Sequence, residues 1–267
     1  MNKTLIAGLL LAGFASFAVS AQDTDAAAAG GWTGSGEAGF ASATGNSRSQ
    51  NVNAKLGLQK ENDHWKNSFF LDGLRAKSQT SVVDPAGNTI KRYDTTANRY
   101  AGGASVGLKL DPRSYIVGAA RYEHDDFGAN LWQGTVSLGY GYIALKDGRN
   151  ELSFEVGPGY KRYRPADQDV LVNGDVVTIR QAIEHEVVGR GLVNYKFRLS
   201  ENAAFEDTLL IESGSKNSYL QNDAGLAVTM TRKLALKFGY QVRHNTDVLP
   251  GIKKTDTLTT TNLVYSL

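Results

Sequence analysis

The stretch 255–267 reads T-D-T-L-T-T-T-N-L-V-Y-S-L, and its alternation decides the fold. Thr259, Thr261, Leu263, Tyr265 and Leu267 fall on one face, and Leu258, Thr260, Asn262, Val264 and Ser266 on the other. Period two is the signature of a strand, because successive side chains point to opposite sides. As the last strand, it needs a partner on each edge or it leaves an edge open. Pairing with the first strand of a closed barrel supplies that partner.

The beginning of the chain points the same way. Residues 1–21 read as an export signal: Lys3 gives the positive start, 5–19 are apolar, and Val19, Ser20 and Ala21 form a small-residue cleavage pattern. The apolar run is short for a spanning helix. Residues 22–31 are small and polar and read as a flexible lead-in to a barrel over 32–267. No Cys occurs in the chain, so neither disulfides nor thiolate metal sites enter the argument. The formal net charge is +2 with both signs interspersed, which leaves no basic face for nucleic acid. No long apolar run follows the signal, which excludes a bundle of membrane helices.

Twelve strand-like segments can be marked, each about ten residues long, the length of a tilted membrane-spanning strand. The clearest are 51–60, 98–110, 132–143, 151–163, 184–197 and 234–242, together with the last strand. In 132–143, Trp132, Val136, Leu138, Tyr140 and Tyr142 oppose Gln133, Thr135 and Ser137. Weaker segments are 32–42, 65–76, 115–124, 203–213 and 220–230, and Phe69 beside Phe70 leaves the phase of 65–76 open. Short connections (61–64, 111–114, 146–150, 200–202, 231–233) alternate with longer ones (43–50, 78–97, 125–131, 164–178, 214–219, 245–254). That alternation matches periplasmic turns and outer loops. The expectation is an all-β, transmembrane, antiparallel up-and-down barrel of about twelve strands in a bacterial outer membrane.

A soluble sandwich or lipocalin-like barrel would alternate too. It would not carry so many charges on its inner face, since buried charge is costly unless paired. The inward set predicted from the phases is Glu37, Lys55, Lys109, Glu155, Lys161, Glu184, Glu186, Arg190, Lys196, Glu206, Glu212, Lys237, Arg243 and Asp256. If these groups pair across the lumen they plug it. If water separates them they line a narrow, weakly selective pore.

Several segments resemble a family of bacterial outer-membrane proteins called salt-stress-induced. They are W-T-G-S-G-E-A-G-F-A-S-A-T-G-N-S at 32–47, N-A-K-L at 53–56, N-R-Y at 98–100, Y-E-H-D-D-F at 122–127, E-V-G-P-G-Y-K at 155–161 and L-V-Y-S-L at 263–267. The resemblance implies a barrel, an outer-membrane location and no assigned activity, and it brings no catalytic residues.

Chemistry elsewhere is sparse. The four histidines are His64, His124, His185 and His244, and none has a Ser at a spacing that implies a nucleophile–base pair. The run Glu123-His124-Asp125-Asp126 reads as a hydrated loop end, although its oxygens suit a divalent cation. Gly157-Pro158-Gly159 interrupts a strand and predicts a bulge or kink. The sequence therefore reads as a non-enzymatic, monomeric barrel without cofactor or metal. Its partners would be outer-membrane lipid and the barrel-assembly machinery. It would act as a narrow passive channel or an envelope-stabilising barrel. A lipid-modifying outer-membrane enzyme and a soluble periplasmic binder are the alternatives.

Overall fold

Alternating sequence becomes a ladder of fourteen strands in the computed structural model, which describes residues 31–43, 48–83, 87–172 and 175–267. The expected signal and nearly all of the lead-in lie outside the described residues. The strands are β1 (Trp32–Ala43), β2 (Ser49–Glu61), β3 (Trp65–Val83), β4 (Thr89–Lys109), β5 (Ser114–Asp125), β6 (Asn130–Lys146), β7 (Asn150–Pro165), β8 (Gln168–Val172), β9 (Asp175–Ile179), β10 (Glu184–Arg198), β11 (Ala203–Gly214), β12 (Ser218–Thr229), β13 (Leu234–Asn245) and β14 (Thr255–Ser266). Twelve form one closed antiparallel barrel, each pairing with its neighbours in chain order, and β14 returns to β1. β8 and β9 pair with each other as a hairpin inserted between β7 and β10.

The barrel is polar inside and apolar outside. On β6, Val136, Leu138, Tyr140 and Tyr142 are exposed, while Gln133, Thr135 and Ile143 are buried. Leu138 is 62% exposed and Lys161 on β7 only 1%, the inverse of a soluble protein's order. On β3 the phase left open by sequence is settled by Asp72, which meets Lys55 and Arg99 inside the barrel. Phe70 shares that parity and faces the lumen, and Phe69 faces out.

Four expectations need correction. Residues 78–97 are not a loop: β3 and β4 continue as paired strands to Val83↔Thr89, with a register shift between Ala76 and Lys77. Val82, Val83, Thr89 and Ile90 supply the branched side chains that suit a strand. Residues 164–178 contain the β8–β9 hairpin. The outer connections at 126–129 and 215–217 are as short as the inner turns, so length alternation is weaker than the sequence suggested. Finally, Pro158 causes no bulge. The ladder to β10 runs unbroken through Gly159↔Val188, Pro158↔Gly189 and Gly157↔Arg190. The side facing β6 skips from Ser137↔Gly159 to Tyr140↔Val156 with no change of register, as expected where proline has no N–H to give. A Cβ on Gly157 would strike the backbone of Leu138 and Gly139, so glycine permits the close approach of β6 and β7 there.

The five inner turns share one device. A polar side chain at the first or second turn position accepts hydrogen bonds from backbone N–H groups two or three residues on, which fixes the chain reversal. Asn62 accepts from His64 and Trp65 at 2.9 and 2.7 Å, Asp111 from Arg113 and Ser114 at 2.7 and 2.9 Å, and Asp147 from Arg149 and Asn150, both at 2.7 Å. Thr231 accepts from Lys233 and Leu234 at 3.4 and 3.1 Å, and Ser200 from Asn202 at 3.3 Å.

These bonds hold the Asp147 carboxyl below its ordinary value of 3.8, chiefly through the Arg149 N–H. The Ser114 hydroxyl and then the Arg113 N–H do the same for Asp111. A depressed folded pKa gives stability that is present above the unfolded value and lost as pH falls through the folded one. An Asp111→Ala/Asp147→Ala variant should therefore unfold at lower urea concentration than the parent at pH 7. That gap should close towards pH 2, and a gap constant down to pH 2 would contradict this account of the turns.

Candidate functional site

The only extensive cluster of polar chemistry among the described residues lies inside the barrel. Strand alternation aims every second side chain at a closed space, and many of these are ionic. Their contacts form two belts and a set of rim pairs.

The outer belt centres on Tyr219 of β12, which is fully buried. Its hydroxyl accepts from Arg243 Nε of β13 at 3.1 Å and from Arg121 Nη2 of β5 at 3.2 Å. It donates to Gln221 at 2.7 Å. Arg243 also reaches across the lumen to β5, pairing with Glu123 and, at 2.8 Å, with Asp125. Arg121 pairs with Glu123 and lies 3.7 Å from Glu212 of β11. Lys161 of β7 lies 3.7 Å from the same Glu212 and 5.2 Å from the Tyr219 ring. Arg99 of β4 donates to Gln241 at 2.8 Å, and Gln241 donates to Asp223 at 2.5 Å. Lys55 of β2 lies between Asp72 and Asp223, at 3.8 and 3.7 Å. The belt therefore crosses the lumen from wall to wall. Lys161 Nζ, Thr135 Oγ1, Glu186 Oε1 and both Glu212 carboxylate oxygens are buried with no protein hydrogen-bond partner. Such groups call for water.

The inner belt is smaller. Lys237 of β13 bridges Glu37 of β1 at 2.9 Å and Glu206 of β11 at 3.2 Å, and Lys196 meets Glu206 at 3.2 Å. Arg190 pairs with Glu155 at 3.1 Å, and Tyr115 donates to the same carboxylate at 3.0 Å. Tyr115 packs with Val117 and Ile143 in a buried apolar cluster. At the inner rim, Glu61 joins Lys109 and Lys146 at 2.7 and 3.2 Å. At the outer rim, Glu184 pairs with Lys216 at 2.6 Å and holds that loop ammonium above its ordinary pKa through this hydrogen bond. Glu186 accepts the Lys216 backbone N–H at 3.0 Å. Asp256 is exposed and sits opposite Arg243 on the ladder, but Arg243 turns to β5 instead.

The filling is uneven. Tyr219, Glu212 and Lys161 are almost without exposed surface, while Lys55 and Phe70, beside β2 and β3, are 33% and 38% exposed. Room is therefore left along that wall at the height of the outer belt, while Lys196 and Glu206 of the inner belt are 55% and 38% exposed.

The structure brings the sequence-predicted residues into ion pairs, apart from Asp256 and Glu186, whose carboxylate takes only the Lys216 backbone N–H. Sequence reading missed Arg99, Arg121, Asp72, Asp223 and Tyr219, which make the outer belt continuous. It also took 123–126 for a loop end. The chain is still a strand through Asp125, so Glu123 and Asp125 face in to Arg243. His124 and Asp126 face out and bond each other at 2.8 Å. Among the described residues no group of three or more His, Asp or Glu is placed to hold a metal ion. His185 lies against Tyr160 with ring centroids 6.0 Å apart, and His244 meets Thr255 at 2.8 Å. No Ser–His hydrogen bond occurs among the described residues.

The family whose pattern matches residues 36–267 is described as protein of unknown function, DUF481. The chain belongs to this family. The family description assigns no activity. An uncharacterised protein of Escherichia coli strain K12, YdiY, is 24% identical over 275 residues, covering 99% of this chain and 98% of that one. The translocator domain of the autotransporter NalP from Neisseria meningitidis is 12% identical with a TM-score of 0.48, covering 88% of this chain and 87% of its own. An outer membrane channel from Pseudomonas putida F1 is 10% identical with a TM-score of 0.46, covering 88% and 95%.

Removing one partner of a buried ion pair leaves the other charge uncompensated, which costs about 3–5 kcal/mol. Arg243→Met should therefore lower the urea midpoint of the detergent-solubilised barrel sharply. Neutralising its carboxylates as well, in Arg243→Met/Glu123→Gln/Asp125→Asn, should recover much of the loss. A triple variant no more stable than the single one would show that the outer belt is not held by these pairs.

Proposed function

We propose that the chain is a monomeric outer-membrane barrel acting as a narrow passive channel, its lumen constricted by paired charges. The observation that carries this is the outer belt, a mixed-sign lattice from wall to wall beside a looser path along β2 and β3. Opposite charges in a narrow, hydrated space pass ions slowly and discriminate weakly between signs. The membrane placement is supported by the apolar outer wall, and by ladders that satisfy backbone groups internally, as hydrocarbon requires. Lipid and the barrel-assembly machinery are its proposed partners. A soluble periplasmic binder would leave that wall in water, and a lipid-modifying enzyme would need a nucleophile held by a base. A part in salt stress, implied by the resemblance, belongs to the same proposal. Its support is that exposed pairs such as Lys196–Glu206 of the inner belt and Lys216–Glu184 at the outer rim weaken as ionic strength rises.

Folded protein in planar bilayers should show small, weakly selective conductance. Glu184→Gln/Glu186→Gln removes two carboxylates at the outer mouth and leaves Lys216 and Lys161 in place, so ion preference should move towards anions, most visibly at low salt. Silent bilayers with both parent and variant would favour a purely structural barrel. Phospholipid hydrolysis that His185→Ala abolishes would establish the enzyme instead.

Leu138→Arg faces outward at mid-strand, where a cation in hydrocarbon costs about 2–4 kcal/mol. Gln59→Arg faces the lumen at an exposed position. The first should reduce the heat-modifiable form recovered in outer membranes much more than the second. Equal recovery would refute the membrane-facing assignment.

A further inference from the structure

Two features of the outer wall stand one above the other. The first is an apolar groove of about 860 Å³ across β2 to β6. Its floor is made of residues with little or no side chain, Gly102, Ala104, Ala120 and Gly134, between the larger Leu56, Leu71, Tyr122 and Val136. All eight have the outward parity of their strands. An aromatic row closes the outer end, where Tyr100 stacks on His124 at 4.9 Å and Tyr122 on Trp132 at 6.4 Å between centroids. Aromatic side chains of this kind gather at the membrane–water interface.

The second feature is basic. β3 and β4 run beyond the aromatic row as a long hairpin. Alternation along β3 puts Arg75, Lys77 and Gln79 on the face that carries Leu71 and Gly73 lower down. Across the ladder Gln79 pairs with Tyr93 and Ser81 with Lys91. The Gln79 N–H donates to the Arg48 carbonyl at 2.8 Å, which draws Arg48 alongside. Arg48, Gln79, Lys91, Arg92 and Tyr93 enclose a polar recess of about 320 Å³. Arg92 is paired with Asp94 at 2.6 Å. Among the described residues Arg48, Arg75, Lys77 and Lys91 have no carboxylate partner. Asp126, the acidic group beside Asn98, is engaged by Asn98 and His124 at 2.6 and 2.8 Å. At about 3.3 Å per residue, Arg75 stands about 7 Å and Lys77 about 13 Å beyond Gly73 at the upper edge of the groove.

Resting on the membrane placement proposed above, we infer that this column binds a phosphorylated, acylated lipid of the outer leaflet. An acyl chain lies in the groove, the aromatic row sits at the interface, and phosphate oxygens meet Arg48, Arg75, Lys77 and Lys91. The two features need each other in this assignment. A free anion has no use for an apolar trough, and a zwitterionic lipid leaves four cations without a counter-charge. Guanidinium groups suit phosphate through paired N–H donors, and basic residues just outside the hydrocarbon draw anionic headgroups.

The test is native mass spectrometry of the full chain in neutral detergent, with diphosphoryl lipid A as the probe and phosphatidylcholine as the control. One lipid A per chain should survive detergent removal, with phosphatidylcholine retained about tenfold less. Arg75→Gln/Lys77→Gln/Lys91→Gln should lower lipid A retention about tenfold, and Ala120→Leu, which fills the groove, should lower it as well. Heat-modifiability of both variants confirms that they are folded. Undiminished retention in either variant, or equal retention of phosphatidylcholine, overturns the proposal. Displacement of lipid A by millimolar inorganic phosphate overturns it too, in favour of a simple phosphate site. Failure of the membrane placement shows separately, as recovery of the parent chain in the soluble fraction.

Discussion

Closure of the backbone ladder is the constraint on which everything else in this barrel depends. Hydrocarbon offers no partner to a free N–H or C=O, so a sheet within it must have no edge. Here the closing seam is the weakest stretch of ladder. β1 and β2 are in register over twelve residue pairs, from Trp32↔Lys60 to Ala43↔Ser49, whereas β1 and β14 share four, from Ser35↔Ser266 to Ala38↔Leu263. The Leu267 N–H adds a bond to the Gly34 carbonyl at 2.9 Å. Side chains inside the barrel reinforce what the backbone leaves short. Asn53 of β2 donates to Asn262 of β14 at 2.8 Å, Asn262 donates to Glu37 of β1 at 3.1 Å, and Lys237 of β13 donates to Glu37 at 2.9 Å. Four strands are stitched across the seam. The Asn53–Asn262 bond passes over Gly39, where any Cβ would collide with both amides. That residue is glycine because the stitch needs the room.

A closed ladder turns the inside of the sheet into a confined space, and confinement changes what its side chains are worth. Inside, each charge loses water and must find a specific partner. Tyr219 shows the result. Its hydroxyl has two arginine donors and one glutamine acceptor, so its hydrogen-bonding capacity is fully used. The same network ties β5, β11, β12 and β13 together across the lumen, a link the sheet alone does not provide. The charges are thus a structural brace as well as the lining of any path.

Period two carried most of this in the sequence. Glu155 and Lys161 were legible as inward residues because Leu152, Phe154, Val156 and Tyr160 mark the other face. Where the marking residues are small, the phase blurs. Arg121 stands among Gly118, Ala119 and Ala120, in a segment of weak alternation. Ala120 also lines the groove, so a small residue that builds one site helped to hide part of the other. Arg99 was missed for another reason, since 98–110 alternates clearly and Arg99 stands at its very start. Tyr219 fell in a stretch read as a loop, since the outer connection of β11 to β12 is shorter than the Gly, Ser and Lys of 214–216 suggest. Partnership across the lumen was illegible in principle. Arg243 and Glu123 meet because strand number and shear bring β13 opposite β5, and neither quantity is written in any local stretch.

On the membrane placement proposed above, the same alternation marks where the hydrocarbon stops. Along β3 the outward positions run Trp65, Asn67, Phe69, Leu71, Gly73, Arg75, Lys77, and the change from apolar to basic falls within four residues of sequence after Leu71. β4 changes at the same height, where outward Tyr100 gives way to Asn98, the ladder partner of Arg75. Nine to eleven tilted residues cross a bilayer, so strands of 19 and 21 residues are about twice as long as the crossing demands. The excess is paired backbone carried into water, where each hydrogen bond competes with solvent and gains little net energy. A hairpin extended for stability alone would not carry a row of like charges along one face, since these repel one another when left unpaired. The arrangement is favourable when something anionic lies against it, at the height where a membrane presents its headgroups.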